Sequence, residues 1–197
     1  MTNHKVRQAI FYAIDRVTMA RTLILGRSRV PDAPCYPAQF GCDATSATRY
    51  DYNPAKARAL LAEAGYPDGL QTELVSYVQP VITAAIQRAQ DGRAPLYLAN
   101  WGSYSINDVS AILPNFFTFT DNDYVRDPEL KALVEQGGNN TAPDERRKFY
   151  GAAIKLITEQ AYWLPLHTYV TTYVFRREVA FKPYPDELPR FYLARWK

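Results

Sequence analysis

The sequence predicts an α/β protein, because a strand–helix–strand unit precedes two amphipathic helices. Alternation over 72–77 and the apolar run at 96–99 are typical of strands, and Pro80 is expected to end the first of them. Residues 81–90 lie between the two strands and have the periodicity of a helix. Of the 197 residues, 47% are hydrophobic, which suffices for a packed core. We therefore expect a mixed β-sheet flanked by helices.

The N-terminal segment predicts three helices. Residues 4–25 carry apolar side chains at helical spacing, and Asp15 is positioned to cap a second, short helix that Gly26 closes. The apolar positions are Val6, Ile10, Ala13, Ile14 and Val17. Further along, Asn53 is the expected N-cap of a helix over 54–64, because a proline follows it at the first helical position.

The C-terminal half predicts two more helices and a β-rich stretch. The first helix is expected to begin at the Asp-Pro pair 127–128 and to end at the glycine pair 137–138. Thr141 with Asp144 forms a loose capping box for a longer helix. The expected buried stripe of that helix is Phe149, Ala152, Ala153, Leu156 and Ile157. The aromatic and β-branched residues of 162–175 favour one or two strands.

Both cysteines lie in one long loop, residues 28–51. Cys35 and Cys42 are close enough in sequence for a small disulfide, which would fit an oxidising compartment. The alternative is a pair of free thiols. A zinc site would need further ligands, and His4 and His167 are far from both cysteines in sequence, so we expect no metal site.

Composition and motifs exclude several classes of protein. The net charge of the chain is only +3, and its Lys and Arg residues are scattered along the sequence, so we expect no nucleic-acid partner. The sequence has no run of eighteen apolar residues, the length needed to span a membrane. Residues 1–20 also lack the apolar centre of a signal peptide. The sequence contains no G-x-S-x-G, G-x-G-x-x-G, phosphate-binding loop or H-E-x-x-H motif. It therefore predicts no catalytic residues and no cofactor.

The stretch after the second strand carries the candidate ligand-binding residues, because ligands in open α/β sheets collect beyond the carboxyl ends of strands. Four side chains are expected there: Trp101, Tyr104, Asn107 and Asp108. The aromatic faces suit the apolar body of a ligand, and a carboxylate suits a cationic group. The alternative is structural, with Trp101 in the core and Asn107 or Asp108 as the N-cap of a helix over 109–113.

Three stretches together carry a resemblance to a known family. They are VRQAIFYAIDR at 6–16, YDYNPAKARALLAEAGYPDG at 50–69, and the second strand followed by WGSYSINDV at 101–109. In order and spacing they resemble the C-terminal lobe of the dipeptide- and oligopeptide-binding family of extracytoplasmic solute-binding proteins, which serve ABC transporters. The resemblance runs over nearly the whole chain and includes AYWLPLHTYV at 161–170.

The resemblance implies a role and a set of partners. Residues 1–175 would form the C-terminal ligand-binding lobe of a two-lobed protein that closes on its solute like a hinged trap. Residues 176–197 would be a return segment that docks toward the first lobe. The implied partners are a peptide-like solute, ABC transporter permease subunits and the first lobe, and the implied location is periplasmic or extracytoplasmic. The alternative is a secreted hydrolase domain acting on peptides, esters or glycosides.

The chain departs from the family pattern in three places. The first lobe and the signal peptide are absent from this sequence, so we expect it to be a fragment that contributes one side of a cleft. The region 77–96 is shorter than in the family. Asn107, Asp108 and Val109 stand where the family usually has an Asp-Pro pair. The resemblance implies that Asp108 is the counterpart of the acid that pairs with a peptide amine in some members.

Overall fold

The structure is a computed structural model that describes residues 2–23, 27–76, 82–102, 106–184 and 188–197. The predicted roles of Gly26, Pro80 and Tyr104 lie outside these residues. Its elements in chain order are α1 (His4–Ala13), α2 (Arg16–Leu23), α3 (Pro54–Glu63), β1 (Leu74–Ser76), α4 (Ile82–Gln90), β2 (Leu96–Leu98), a 3₁₀ turn (Val109–Ala111), α5 (Leu113–Phe117), α6 (Pro128–Asn139), α7 (Pro143–Glu159), β3 (Val179–Ala180), a second 3₁₀ turn (Phe191–Leu193) and β4 (Arg195–Trp196).

The strands confirm the α/β class and modify the predicted sheet. β1 and β2 are parallel, with Leu74 opposite Leu96, and α4 connects them. β3 and β4 are antiparallel, with Val179 opposite Trp196. Among the described residues the strands therefore form two separate two-stranded sheets, one parallel and one antiparallel. Within the described residues, the predicted strand over 72–77 begins only at Leu74, and Tyr77 lies outside them.

The N-terminal helices begin where their caps predict. The Asp15 carboxylate accepts a hydrogen bond from the backbone N–H of Thr18 at 2.9 Å, which caps α2. The Asn53 side chain accepts one from Lys56 N–H at 2.9 Å and caps α3. α1 packs against α3, and Val6 and Ala9 of α1 are buried.

The main core is formed by α5, α6, α7 and the 3₁₀ turn before α5. Its buried side chains include Val109, Leu113, Phe117, Leu130, Val134, Tyr150, Ala153, Ile154 and Ile157. The predicted stripe of α7 is confirmed at Ala153 and Ile157, which are fully buried, and is wrong at Ala152, which is exposed. Tyr150 and Ile154, which were not predicted, are fully buried on the same helix.

α6 continues through its glycine pair, contrary to the prediction that it would stop there. Asp127 caps it as expected, but the helix extends to Asn139. A Cβ on Gly137 would lie 2.6 Å from Cε1 of Tyr150, so this glycine allows α6 and the Tyr150 ring to approach closely. Close packing, and not helix termination, accounts for the glycine at this position.

The capping box predicted for α7 is also wrong. The N-cap is Ala142, which has no side-chain acceptor, and Pro143 occupies the first helical position. Thr141 lies one residue before the cap, too early to act as one. The Asn140 side chain instead accepts a hydrogen bond from Ala142 N–H at 2.9 Å.

The β-rich stretch 162–175 forms no strand in the structure. Thr168 N–H donates to the carbonyl of Arg29 at 2.9 Å, but no described segment forms a ladder with this stretch. β-branched and aromatic residues favour a strand only where a neighbouring strand is available to pair with them. The composition therefore predicted strands that have no pairing strand among the described elements.

Candidate functional site

The candidate site begins at the carboxyl end of β2. Because β1 and β2 are parallel, their last residues, Ser76 and Leu98, lie side by side at the same edge of the small sheet. The chain then passes Trp101 and reaches the 3₁₀ turn at Val109. Tyr104 belongs to 103–105, outside the described residues. The structure thus describes the two ends of the candidate loop.

Trp101 is anchored to the core through a row of aromatic rings. Its ring is 37% exposed and packs edge-on against Phe116, with centroids 5.0 Å apart. Phe116 packs in turn on Trp163 at 4.7 Å, and Trp163 on the buried Phe117 at 5.0 Å. Edge-to-face contacts of this kind favour one ring orientation. One side of Trp101 is therefore fixed while part of its surface remains accessible.

Asp108 is engaged within the chain. Its carboxylate accepts a hydrogen bond from Ser110 N–H at 2.9 Å and caps the 3₁₀ turn. It also forms an ion pair with Arg146, with Nη2 and Oδ2 2.9 Å apart and both side chains about one-fifth exposed. The predicted helix over 109–113 is instead this short turn followed by α5. These contacts of Asp108 are those of the structural alternative.

Arg146 connects the candidate loop to the core helices. Its Nε donates to the carbonyl of Gly137 at 3.1 Å, and its Nη2 approaches the Tyr150 hydroxyl at 3.4 Å. The Tyr150 hydroxyl and the Asp108 carboxylate raise the pKa of Arg146 above its ordinary value. The 2.9 Å ion pair with Asp108 is the shorter and stronger of these two contacts.

Asn107 and its neighbours are bound to the loop that carries the cysteines. Phe40 N–H donates to the carbonyl of Asn107 at 3.0 Å, and Val109 N–H donates to the carbonyl of Phe40 at 3.0 Å. Together these bonds form a parallel bridge between two segments distant in sequence. Gln39 adds a third bond, from its Nε2 to the carbonyl of Ile106 at 3.2 Å.

The cysteine loop is closed and borders a pocket. Cys35 and Cys42 are joined by a disulfide. An open pocket of about 570 Å³ is lined by 37–43, Asn107 and Arg147. The guanidinium of Arg147 lies 4.3 Å from the centroid of the Phe40 ring, which forms one side of this pocket. Asn107 is the predicted site residue that lines it.

The structure brings Asn107 and Asp108 together at one end of the candidate loop and places Trp101 at the other. Sequence reasoning missed Phe40, Phe116 and Arg146, which hold these ends. Phe116 could have been found from the aromatic pair that follows Pro114, but Phe40 and Arg146 carry no local signal.

Within the part of the chain that the structure describes, no three His, Cys, Asp or Glu side chains converge as metal ligands. None of the described helices has the length and apolarity needed to cross a membrane.

Comparison with known proteins identifies relatives. Residues 1–99 match the family described as "Bacterial extracellular solute-binding proteins, family 5 Middle". Heme-binding protein A of Haemophilus influenzae is 27% identical over 83% of this chain and 36% of its own length. The glutathione-binding protein GsiB of Escherichia coli (strain K12) is 25% identical over 83% of this chain and 39% of its own length. The chain thus spans less than half the length of these curated relatives.

Solved structures share the fold. HbpA2 from Haemophilus parasuis superimposes with a TM-score of 0.87 at 24% identity, covering 99% of this chain and 45% of that one. The periplasmic binding protein DppA from Helicobacter pylori, in complex with the peptide STSA, gives 0.74 at 20% identity, covering 84% and 38%. At these identities the likeness establishes a periplasmic-binding-protein lobe as the fold of this chain.

Proposed function

Because this chain belongs to the bacterial extracellular solute-binding proteins of family 5, we propose that it supplies one lobe of a protein that binds a small solute for uptake by an ABC transporter. The family match and the lobe-like fold support the proposal. The chain also covers 36% of the length of heme-binding protein A and 45% of HbpA2, shares that fit one lobe of a two-lobed protein. The proposed partners are the permease subunits of such a transporter and a first lobe.

The solute class we propose is a peptide or a peptide-like small molecule. Relatives and similar structures are named for glutathione, heme and peptides, and the first of these is itself a tripeptide. The observation that carries the site is the partly exposed Trp101 ring, held by Phe116 beyond the carboxyl end of β2. A rigid aromatic face contributes contact area at low entropic cost. We propose that Trp101, Tyr104 and Asn107 contact the solute and that Asp108 orders the loop beside them.

The C-terminal segment 176–197 is the part we assign to docking on the first lobe. Its exposed rings include Tyr192 and Trp196, which are 81% and 74% exposed. Phe181 stacks on Phe191 at 6.0 Å, so part of this apolar surface is ordered within the segment. Several large apolar side chains left exposed in one segment favour an interaction site there. The disulfide between Cys35 and Cys42 supports a periplasmic or other extracytoplasmic location.

The hydrolase alternative has no support. The family, the two curated relatives and DppA named above are described as binding proteins. The experiment that separates the two functions is a calorimetric titration of the two-lobed parent with glutathione, heme and the tetrapeptide STSA, followed by product analysis. Saturable binding without turnover would support the proposal, and turnover of any panel member would overturn it.

The site itself is tested by Trp101→Ala in the same parent. Loss of a stacked aromatic contact is expected to weaken solute binding by about tenfold or more. Tyr66→Ala is the matched control, because Tyr66 is 40% exposed, like Trp101, but belongs to the turn after α3 and not to the candidate loop. Equal affinities of the Trp101 variant and the wild type would remove Trp101 from the site.

A further inference from the structure

We propose that Phe40 and Gln39, held in the disulfide-closed loop 35–42, are positioning residues for the segment 106–109 at the end of the candidate loop. The inference rests on the proposed function for its effect on solute binding. Its structural part concerns this chain alone and can be tested without any solute. The loop 35–42 would then do more than connect α2 and α3, because it would also hold the segment 106–109 in position.

The backbone contacts of Phe40 carry the first step. Its N–H donates to the carbonyl of Asn107 and its carbonyl accepts from Val109 N–H, both at 3.0 Å. Two bonds on either side of Asp108 fix that segment as one strand of a minimal parallel bridge. Val109 is fully buried, so its N–H has no water to replace the Phe40 carbonyl. The exit of the candidate loop is therefore coupled directly to the cysteine loop.

Gln39 couples the same two segments through its side chain. Nε2 donates to the carbonyl of Ile106 at 3.2 Å, and Oε1 accepts from Tyr36 N–H at 2.9 Å within the cysteine loop. Gln39 is only 8% exposed, and both ends of its amide are satisfied. A buried amide that joins two segments in this way orients them, because either bond left unmade would cost desolvation energy.

The Phe40 ring provides a third link. The guanidinium of Arg146 lies 4.8 Å from its centroid and also pairs with Asp108. Phe40 and Asp108 are thus held against α7 by one cation. Gly41 follows with φ of +79°, and a Cβ there would lie 2.7 Å from Cδ2 of Tyr150. The loop is therefore seated on the core with no room for displacement toward Tyr150.

The disulfide completes the arrangement. Cys35 and Cys42 bracket Gln39 and Phe40, so the bond between them restricts the loop that presents both residues. At the other end of the candidate loop, Trp101 is held by Phe116. Trp101 and the segment 106–109 are consequently both anchored, and the anchor of 106–109 lies in a loop that a covalent crosslink closes.

The experiment measures amide hydrogen exchange of Val109 in this chain, for wild type, the double variant Cys35→Ser/Cys42→Ser and the single variant Gln39→Met. Loosening the bridge is expected to speed Val109 exchange by about tenfold or more in both variants. Exchange in the middle of α7, at Ile154, should change little. Unaltered Val109 exchange in both variants would overturn the positioning role.

A second readout links the loop to binding. In the two-lobed parent, both variants should weaken binding of STSA or of glutathione, whichever the wild type binds. Ile157→Val is the control, because it thins the core of α7 and makes none of the bonds to 106–109. Faster Val109 exchange with unchanged affinity would overturn the link to binding. If the wild type binds neither solute, the proposed function is what fails, and Val109 exchange still decides the positioning role.

Discussion

Gly137 and Tyr150 are in such close contact that a Cβ on the glycine would lie 2.6 Å from Cε1 of the ring. Tyr150 is fully buried at the centre of the core, and Gly137 belongs to the helix that packs against its own. The pair therefore sets the distance between α6 and α7. The same ring lies beside Gly41 of the cysteine loop and near Arg146, so this distance also affects the support of the candidate site.

Gly137→Ala is expected to destabilise the protein. The added methyl group would overlap a buried ring that has no free space to enter, and such overpacking costs about 1–3 kcal/mol. Chemical denaturation measures the change in the free energy of unfolding.

Gly138→Ala is the matched control, since its nearest contact is the Tyr150 hydroxyl at 3.9 Å. Alanine is the better helix former, so this variant should be neutral or more stable by up to about 1 kcal/mol. Equal effects of the two substitutions would contradict the packing account of Gly137.

Arg16→Lys is expected to be strongly destabilising. The buried guanidinium donates to the carbonyls of Pro31, Pro165 and Tyr50 at 2.8, 3.0 and 3.2 Å, and pairs with Asp32 at 3.0 Å. An ammonium has no planar fork and cannot reach all four acceptors, so unsatisfied buried carbonyls should cost about 2 kcal/mol or more. Thermal unfolding measures the loss. Arg21→Lys, at an exposed position of the same helix, should change the midpoint little, and a similar drop in both variants would refute the assignment.

Tyr162 predicts a pH dependence of stability. Burial, followed by the hydrogen bond that its hydroxyl donates to Asp127 at 2.8 Å, raises the pKa of Tyr162 to about 12. The unfolded chain loses this proton near pH 10, so the contribution to stability is present below pH 10 and is lost as the pH rises to 12. In Tyr162→Phe the free energy of unfolding should fall less steeply over this range than in the wild type.

The control for Tyr162 is Tyr192→Phe, which removes a phenol from a ring that is 81% exposed. At neutral pH, Tyr162→Phe should cost about 1 kcal/mol through loss of the bond to Asp127. An identical slope for wild type and Tyr162→Phe between pH 10 and 12 would show that this tyrosine is not the source of the dependence.

Asp108→Asn separates the two roles open to that residue. The amide can still accept the Ser110 N–H, but Arg146 loses its carboxylate, and we expect stability to fall by about 1–3 kcal/mol. In the two-lobed parent, binding of a free-amine peptide and of its N-acetylated form should weaken to the same extent. Calorimetry with both peptides, alongside unfolding midpoints, makes the comparison.

Arg147→Gln provides the control for charge at this surface, because Arg147 stacks on Phe40 beside Arg146. It should leave the stability almost unchanged. Selective loss of affinity for the free-amine peptide in Asp108→Asn, at unchanged stability, would instead establish that Asp108 pairs with the solute.

The N-cap signals predicted their helices correctly, unlike the capping box at Thr141 and the glycine pair 137–138. Asn53 and Asp127 cap the helices that follow them, since a side-chain oxygen and an N–H two or three residues away meet as soon as the helix turns. The parallel pairing of Leu74 with Leu96 also agrees with the predicted strand–helix–strand unit. The prediction of strands in 162–175 was wrong, because strand propensity alone does not supply a neighbouring strand to pair with.

The sequence by itself determined the α/β class and the starts of α2, α3 and α6, because a helix cap depends on residues only two or three positions apart. It also predicted a ligand site beyond β2. Only the tertiary structure decided what holds that site, because the contacts of its residues come from distant segments. Phe40 meets Asn107 across a gap of 67 positions, like Gln39 and Ile106, and Arg146 reaches Asp108 across 38. Hydrogen bonds and ion pairs of this kind depend on how α7 and the cysteine loop pack together, and helical periodicity contains no information about that packing.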